Sequence, residues 1–317
     1  MTATPTPVDV RPATPAPVDV PPAPTGPGKP GASPAPAGRA PRTSPLWAVG
    51  GTLAILGAML LGFVAEVGPL GHLRHERDLR VGYADVRSTL ANATTPIGAT
   101  TEPGTPIGLL TIPQLGVKEV IREGSSAEVL SAGPGHRRDT VLPGQAGLSI
   151  VMGRRAGYGG PFRHLATLQP GETIKVTTGQ GEHSYRVSGV RRAGDPRPPA
   201  LQAGTGRLTL MTATGSPYRP DGVLQVDADL ITPPQPGAVP AFRFGRVPAD
   251  ELPLAGQPSS WLPLVLWSQA VLLAAAGLVW ARSRVPRVHV WLVGFPVLVA
   301  LGLTVGDQVA LLLPNLL

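Results

Sequence analysis

The sequence of 317 residues contains no cysteine. This absence excludes disulfide bonds, thiolate metal sites and a thiol nucleophile. The six histidines, at positions 72, 75, 136, 164, 183 and 289, show no HExxH motif and no other close spacing typical of a metal site. The sequence therefore predicts neither a metal site nor a bound cofactor.

Proline and glycine are abundant, with 39 and 40 residues, and the prolines are concentrated at the N-terminal end. Fourteen prolines precede residue 46, and ATPTPVDV at 3–10 is repeated as ATPAPVDV at 13–20. Such a segment cannot bury enough apolar surface to offset the entropy lost on ordering. Residues 1–45 are therefore predicted to form a disordered, extended, proline-rich tail.

Three apolar segments, 46–67, 261–281 and 288–313, predict transmembrane helices. At about 1.5 Å per residue, each is long enough to cross a hydrocarbon core of roughly 30 Å. A cleaved signal peptide is the competing interpretation of the first segment. A signal peptide would start with a short basic region, whereas this segment follows a long tail, so an uncleaved anchor is favoured.

The orientation follows from the short loop between the second and third spans, which carries arginines at 282, 284 and 287. The positive-inside rule places this loop in the cytoplasm. With three spans, the 1–45 tail is then cytoplasmic as well, and the region between the first two spans is extracytoplasmic. The net charge of +7 belongs largely to tails and membrane flanks, so we expect the membrane, and no nucleic acid, as the partner of these charges.

The extracytoplasmic region divides into a juxtamembrane helix and linker at 68–107, a folded domain at 108–230 and a second linker at 231–260. In the folded domain, short segments of strand-forming residues alternate with Gly/Pro turns. Seven strands at this spacing predict a mainly β, closed or nearly closed antiparallel barrel of about seven to eight strands. The predicted strands are 108–112, 117–122, 148–152, 172–178, 183–190, 208–213 and 223–230, with short helices at 127–132 and 162–168.

Four stretches of this domain carry a family resemblance. They are LLTIPQLGVKEVIREG at 109–124, GPGHRRDTVLPGQAGLSIVMG at 133–153, GRRAGYGGPFRHLATLQPGETIKV at 153–176 and LTLMTATGSPY at 208–218. In the same order they resemble motifs of the sortases, the membrane-anchored cysteine transpeptidases of Gram-positive bacteria, and class E sortases in particular. The resemblance implies a sortase-like β-barrel over 108–230.

The residues that carry the family's chemistry are absent. The resemblance places the catalytic histidine, cysteine and arginine at positions where this chain has Arg154, Ala213 and Val223. Acyl transfer by that route needs a nucleophile, a proton donor and a positive charge for the oxyanion, and alanine has no lone pair to attack with. The resemblance therefore implies a pseudo-sortase without transpeptidase activity.

Neighbouring hydroxyl groups are the remaining candidates for a nucleophile. Thr212, Thr214 and Ser216 flank the alanine. A hydroxyl needs an adjacent general base, whereas the histidine position now holds a guanidinium that stays protonated. A structural role is therefore the favoured interpretation for all three.

Basic residues suggest what the altered groove could bind. If Arg154 and Arg155 enter the groove, joined by Arg219 from the following loop, their guanidinium groups suit a carboxylate or a phosphate. The alternative interpretation is that Arg155 is the arginine that the family motif already contains and that Arg154 points to solvent. His136 matches a non-catalytic histidine of the family and is assigned a structural role.

The sequence thus favours a binding or assembly module in the cell envelope, with sorting-signal-like peptides, a companion sortase or other envelope proteins as candidate partners. Two alternatives stay open. One is a cysteine-independent transpeptidase or hydrolase that uses unconventional residues, and the other is an accessory subunit of a companion sortase or envelope complex.

Overall fold

The computed structural model describes residues 62–96, 98, 101–216, 219–237, 239–281, 284 and 286–317. The predicted tail 1–45 and most of the predicted span 46–67 lie outside these residues.

Eight strands form a closed barrel in the order β1-β2-β3-β4-β7-β8-β6-β5, with β5 pairing back to β1. The mainly β barrel predicted from the sequence is confirmed. The strands are β1 Pro106–Ile112, β2 Val117–Glu123, β3 Gly135–His136, β4 Gly147–Met152, β5 Thr173–Thr178, β6 Gly181–Arg191, β7 Gly206–Ser216 and β8 Arg219–Leu230. The α-helices are α1 Gly71–Ala91, α2 Ala127–Ala132, α3 Trp261–Ala281 and α4 Arg287–Leu312.

The barrel differs from the prediction in three details. It is not wholly antiparallel, because β2–β3 and β4–β7 pair in parallel. A connection between parallel strands has to return the chain in the same direction. The connection from β2 to β3 contains α2, and the connection from β4 to β7 contains β5 and β6. The sequence prediction missed β3, because this strand of two residues is too short for a recognisable alternating pattern. The helix predicted at 162–168 is limited to a 3₁₀-helix at Leu165–Thr167, which follows tight turns with i→i+3 bonds such as Leu165 N–H to the Phe162 carbonyl at 3.2 Å.

The two faces of β7 belong to different hydrophobic clusters. Leu208 and Leu210 lie in the main core of the barrel, whereas Met211 and Ala213 lie in a second cluster on the opposite face. This separation follows from the alternation of side chains along a strand. The end of β7 therefore has one side towards the barrel interior and the other towards elements that pack on its outside.

Helix α1 packs against the outside of the barrel. Val86 on this helix is fully buried. Gly82 leaves room for the β2 side chain Arg122, since a Cβ at Gly82 would lie only 2.8 Å from the Arg122 guanidinium. His75 Nε2 lies 3.0 Å from Glu119 Oε1, and both side chains are buried. The helix that leaves the predicted first span is thus attached to the barrel wall.

The 231–260 segment, predicted as a linker, is bonded to the barrel along its length. Gln235 N–H donates to the Gly144 carbonyl at 2.8 Å. Farther along, Gly245 N–H donates to Asp139 Oδ2 at 2.6 Å. Glu251, near the end of the segment, accepts from Arg138 Nη1 at 3.2 Å.

Two helical segments among the described residues, Pro258–Ala281 and Val288–Leu312, are long and apolar enough to cross a membrane. Near the end of the second one, Asp307 forms a salt bridge with Arg74 of α1 at 3.2 Å. The chain then continues from α4 onto the barrel, where Asn315, Leu316 and Leu317 are buried.

Candidate functional site

Ala213 lies near the end of β7, opposite Val223 of β8. This residue is 4% exposed and packs in the second hydrophobic cluster, so the position that the sequence resemblance assigns to a nucleophile holds a methyl group in an apolar setting. The other buried members of this cluster are Leu130, Ile150, Met152, Met211 and Leu316.

A cavity of about 250 Å³ adjoins the end of β7. Three of the candidate groove residues predicted from the sequence, Arg155, Thr212 and Thr214, line this cavity, as does Ala213. Arg154, Ser216, Arg219 and His136 are not among the lining residues. The complete lining is Arg155, Phe162, Arg163, Ala166, Arg192, Thr212, Ala213, Thr214, Gly215 and Leu224.

The hydroxyl groups at the cavity are engaged in local hydrogen bonds. Thr212 Oγ1 donates to the Gly153 carbonyl at 2.9 Å, which ties β7 to the residue after β4. Thr214 Oγ1 donates to Asp221 Oδ1 at 2.7 Å across the β7–β8 hairpin. Ser216, at the exposed tip, donates to the Arg219 carbonyl at 3.5 Å. None of the three forms a hydrogen bond with a histidine among the described residues.

Arg154 occupies neither of the places that the sequence suggested. Its side chain is 1% exposed. Its Nη2 donates to the Ala127 carbonyl at the start of α2 at 2.9 Å, and its guanidinium carbon lies 4.8 Å from the centroid of the Tyr158 ring. Burial lowers the pKa of Arg154 to about 10, while Tyr158 acts in the opposite direction. The side chain therefore stays protonated at neutral pH and connects α2 to the loop after β4 instead of serving as a proton donor.

The basic character of the cavity comes from a different set of arginines. Arg155 donates from Nη1 to the Gly215 carbonyl at the rim. Arg163 and Arg192 also line the cavity, and sequence reasoning missed both. Arg163 follows the Gly-Gly-Pro-Phe turn and Arg192 directly follows β6, so the available signal was a basic residue at each element boundary near the family motifs.

His136 belongs to a buried network on another side of the barrel. Its Nδ1 lies 3.0 Å from Glu123 Oε2 and its Nε2 lies 2.9 Å from the Val141 carbonyl. Thr140 Oγ1 is 3.2 Å from the same Nε2 and donates to the Arg137 carbonyl at 2.7 Å. Because a carbonyl oxygen only accepts, Nε2 carries a hydrogen and cannot take the proton of Thr140. The network therefore has a hydroxyl, an imidazole ring and a carboxylate, but its hydrogen bonds hold the neighbouring loops together and do not activate the hydroxyl.

The segment that follows α4 covers the outer face of the site. Leu316 is fully buried and packs in the same cluster as Ala213. Its carbonyl accepts the backbone N–H of Arg155 at 3.1 Å, and the Leu317 carbonyl accepts that of Gly157 at 3.4 Å. Asn315 is bonded through its Nδ2 to the carbonyls of Asp250 and Leu252, at 2.6 and 2.8 Å. The chain's own residues thus fill the space beside position 213.

No group of three or more histidine, aspartate or glutamate side chains that could hold a metal ion occurs among the described residues.

Comparison with known proteins identifies the domain. Residues 110–225 match the family model described as the sortase domain. Sortase D of Bacillus subtilis is 30% identical over 86 residues, which cover 27% of this chain and 42% of that protein. Sortase SrtE1 of Streptomyces coelicolor is 31% identical over 150 residues, which cover 45% of this chain and 42% of that protein. The matches thus span less than half the length of these two curated relatives.

Solved structures of sortases also match part of this chain. A sortase D5 transpeptidase of Clostridium perfringens is 26% identical, with a TM-score of 0.41, and the match covers 50% of this chain and 98% of that chain. Sortase E from Streptomyces avermitilis is 30% identical, with a TM-score of 0.36, and the match covers 42% of this chain and 91% of that chain. By the family model, residues 110–225 of this chain are a sortase domain.

Proposed function

We propose that the sortase domain of this chain is catalytically inactive and serves as a membrane-anchored, extracytoplasmic binding or assembly module of the cell envelope. The observation that carries the proposal is Ala213, which stands at the strand position aligned with the family's nucleophile. No other part of the chain can supply a thiol, because the whole sequence contains no cysteine. The cavity beside this strand supports retention of a binding role.

The surroundings of position 213 support the same conclusion. Arg154, at the position aligned with the catalytic histidine, is buried and bonded to the Ala127 carbonyl. Val223, at the position aligned with the oxyanion-binding arginine, is apolar and packs against the second cluster. A nucleophile, a proton carrier and an oxyanion charge are therefore all replaced by residues with structural contacts.

One observation favours a second candidate function, a cysteine-independent hydrolase. Thr214 Oγ1 and Asp221 Oδ1 are 2.7 Å apart at the edge of the cavity, and Arg155 lies nearby as a positive charge. A carboxylate bonded to a hydroxyl is a far weaker activating arrangement than a hydroxyl bonded to an oriented histidine. We therefore rank this candidate below the binding module.

Membrane anchoring is supported by the two long apolar helical segments. The basic loop between them supports a cytoplasmic position for their connected ends under the positive-inside rule. The barrel, which is joined to the opposite ends of α3 and α4, is then extracytoplasmic. Peptides that resemble sorting signals, or proteins of the envelope that present them, are the proposed partners.

The test separates binding from catalysis in the detergent-solubilised full chain. A fluorophore–quencher peptide with a sorting signal reports cleavage, and fluorescence anisotropy of the same peptide with one dye reports binding. We expect binding without turnover, while an active sortase with its own peptide serves as the positive control. Turnover by the natural chain that disappears in Thr214→Val, but not in the exposed tip variant Ser216→Ala, would replace the proposal with the hydrolase.

A further inference from the structure

The cavity beside β7 has a lining that is positively charged, and the carboxylates next to it, Asp221 and Asp195, are bonded to the Thr214 hydroxyl and to the Arg192 backbone N–H. Arg155, Arg163 and Arg192 line it, and no aspartate or glutamate is among the lining residues. None of these three arginines takes part in a salt bridge among the described residues. Four other arginines of the barrel are each paired with a carboxylate within 3.2 Å: Arg137, Arg138, Arg191 and Arg207.

Two of the three guanidinium groups are held in place by neutral acceptors. Arg155 donates to the Gly215 carbonyl, and Arg163 donates to the carbonyls of Gly159 and Gly160. A guanidinium has five N–H donors, so these bonds leave others available. Carbonyl acceptors fix the side chains without cancelling their charge, and an anionic ligand would therefore meet donors that have already lost part of their conformational freedom.

The remaining lining of the cavity is largely apolar. Phe162 and Leu224 are buried members of the main core, and Ala166 lies at the exposed edge. The hydroxyls of Thr212 and Thr214 are already donated within the protein, so the guanidinium groups are the main donors offered to a ligand. The volume of about 250 Å³ is below the roughly 300–1,000 Å³ of most small-molecule pockets, which suits the end of a chain and not a large headgroup.

We infer that this cavity binds the free terminal carboxylate of a short apolar peptide, with the carboxylate on the guanidinium groups of Arg155, Arg163 and Arg192 and the terminal side chain against Phe162 and Leu224. Planar guanidinium groups match a carboxylate through paired, charge-assisted hydrogen bonds. The inference rests on the proposed binding function and specifies its ligand: a peptide that ends at the cavity, in contrast to a peptide whose internal bond would be cleaved there.

The test uses the detergent-solubilised full chain and two dye-labelled pentapeptides of alanine and leucine, identical except that one ends in a carboxylate and the other in an amide. Fluorescence anisotropy measures the Kd of each. We expect the carboxylate peptide to bind at least about tenfold more tightly, because only it makes charge-assisted hydrogen bonds. This preference should shrink as salt is raised.

Variants connect the preference to the cavity. Arg163 and Arg192 are exposed, so Arg163→Gln and Arg192→Gln should fold normally, which circular dichroism checks. Each is expected to weaken binding of the carboxylate peptide several-fold and to leave the amide peptide unchanged. Arg186→Gln is the matched control, since Arg186 is exposed on β6 outside the cavity lining, and it should change neither Kd.

The outcomes are distinguishable. Equal affinity for the two peptides, no binding of the carboxylate peptide at millimolar concentration, or a preference that survives both cavity variants would overturn the inference. Displacement of the carboxylate peptide by short-chain phosphatidylglycerol at far lower concentration than by unlabelled peptide would instead assign the cavity to a phosphate group. Turnover in the cleavage assay would overturn the proposed inactivity, whatever the carboxylate preference.

Discussion

Leu316 covers the outer face of β7 at Ala213, so truncation of its side chain should uncover that position. The Leu316 side chain is fully buried in the cluster that contains Ala213. Replacement of a fully buried leucine by alanine costs about 2–5 kcal/mol. About 1.4 kcal/mol corresponds to a factor of ten in an equilibrium constant. If residues 313–317 lose about 3 kcal/mol of their binding free energy on the barrel, the population in which this segment is detached would increase roughly a hundredfold.

The absence of cysteine makes this population measurable. The Ala213→Cys variant has a single thiol, which the docked segment should protect from a maleimide. If labelling proceeds through the undocked state, addition of Leu316→Ala should raise the labelling rate roughly a hundredfold. Leu313→Ala, at a half-buried position of the same segment, should have a smaller effect. Ala166→Cys, at an exposed position of the cavity, should react rapidly in both backgrounds.

Two results would refute this reasoning. The first is a thiol introduced by Ala213→Cys that reacts as fast as one introduced by Ala166→Cys. The second is a labelling rate that Leu316→Ala leaves unchanged. Hydrogen exchange gives an independent check, because the amides of Arg155 and Gly157 are bonded to the carbonyls of Leu316 and Leu317 and should exchange faster in Leu316→Ala than in Leu313→Ala.

Three further predictions concern chemistry, pH and topology. Ala213→Cys alone should show no peptide turnover in the cleavage assay, because Arg154 cannot exchange a proton near neutral pH. Measurable turnover would need Arg154→His and Val223→Arg as well. Turnover by the single variant would contradict the assignment of Arg154 and Val223 to the catalytic positions of the family. His183 is 2% exposed, both its ring nitrogens lack hydrogen-bond partners among the described residues, and burial lowers its pKa. Because the folded state favours the neutral ring, the stability of the protein should fall as pH drops below about 6.5. The decrease in Tm between pH 7.5 and 5.5 should therefore be smaller in His183→Leu. In intact cells, a membrane-impermeant maleimide should label Gln202→Cys in the β6–β7 loop but not Ser283→Cys in the basic loop, and the reverse pattern would contradict the proposed orientation.

The parts of the fold that were predictable are those with long local patterns. β7 has side chains that alternate between two faces over 208–213, and α1 has apolar residues at helical spacing with few breakers. β3 has only two residues, Gly135 and His136, and its pairing depends on β2 and β4, which are distant in sequence. No period exists over two residues, so only the tertiary structure defines this strand.

The candidate site was predictable to the same extent. Motif spacing fixes the backbone positions of Arg155, Thr212 and Thr214, and all three line the cavity at the end of β7. The direction of the Arg154 side chain was not predictable, because it depends on the Ala127 carbonyl and the Tyr158 ring, and a pattern does not show which neighbour accepts a buried guanidinium. Arg163 and Arg192 were missed because their shared cavity exists only after the loop following β4 and the end of β6 come together.

Leu316 and Ala213 lie in one hydrophobic cluster, and this covered strand agrees with the proposed loss of a nucleophile at position 213. A reactive side chain at position 213 must reach a substrate, so its surroundings have to remain open on the side where it reacts. Here the side chain at 213 is a methyl group in the same buried cluster as Leu316, and the Leu316 carbonyl accepts the backbone N–H of Arg155. These contacts turn the outer face of β7 into an attachment point for the residues after α4. If the domain is inactive as proposed, the cavity on the other side, whose arginines form no salt bridge among the described residues, is the part of the site that remains available to a ligand.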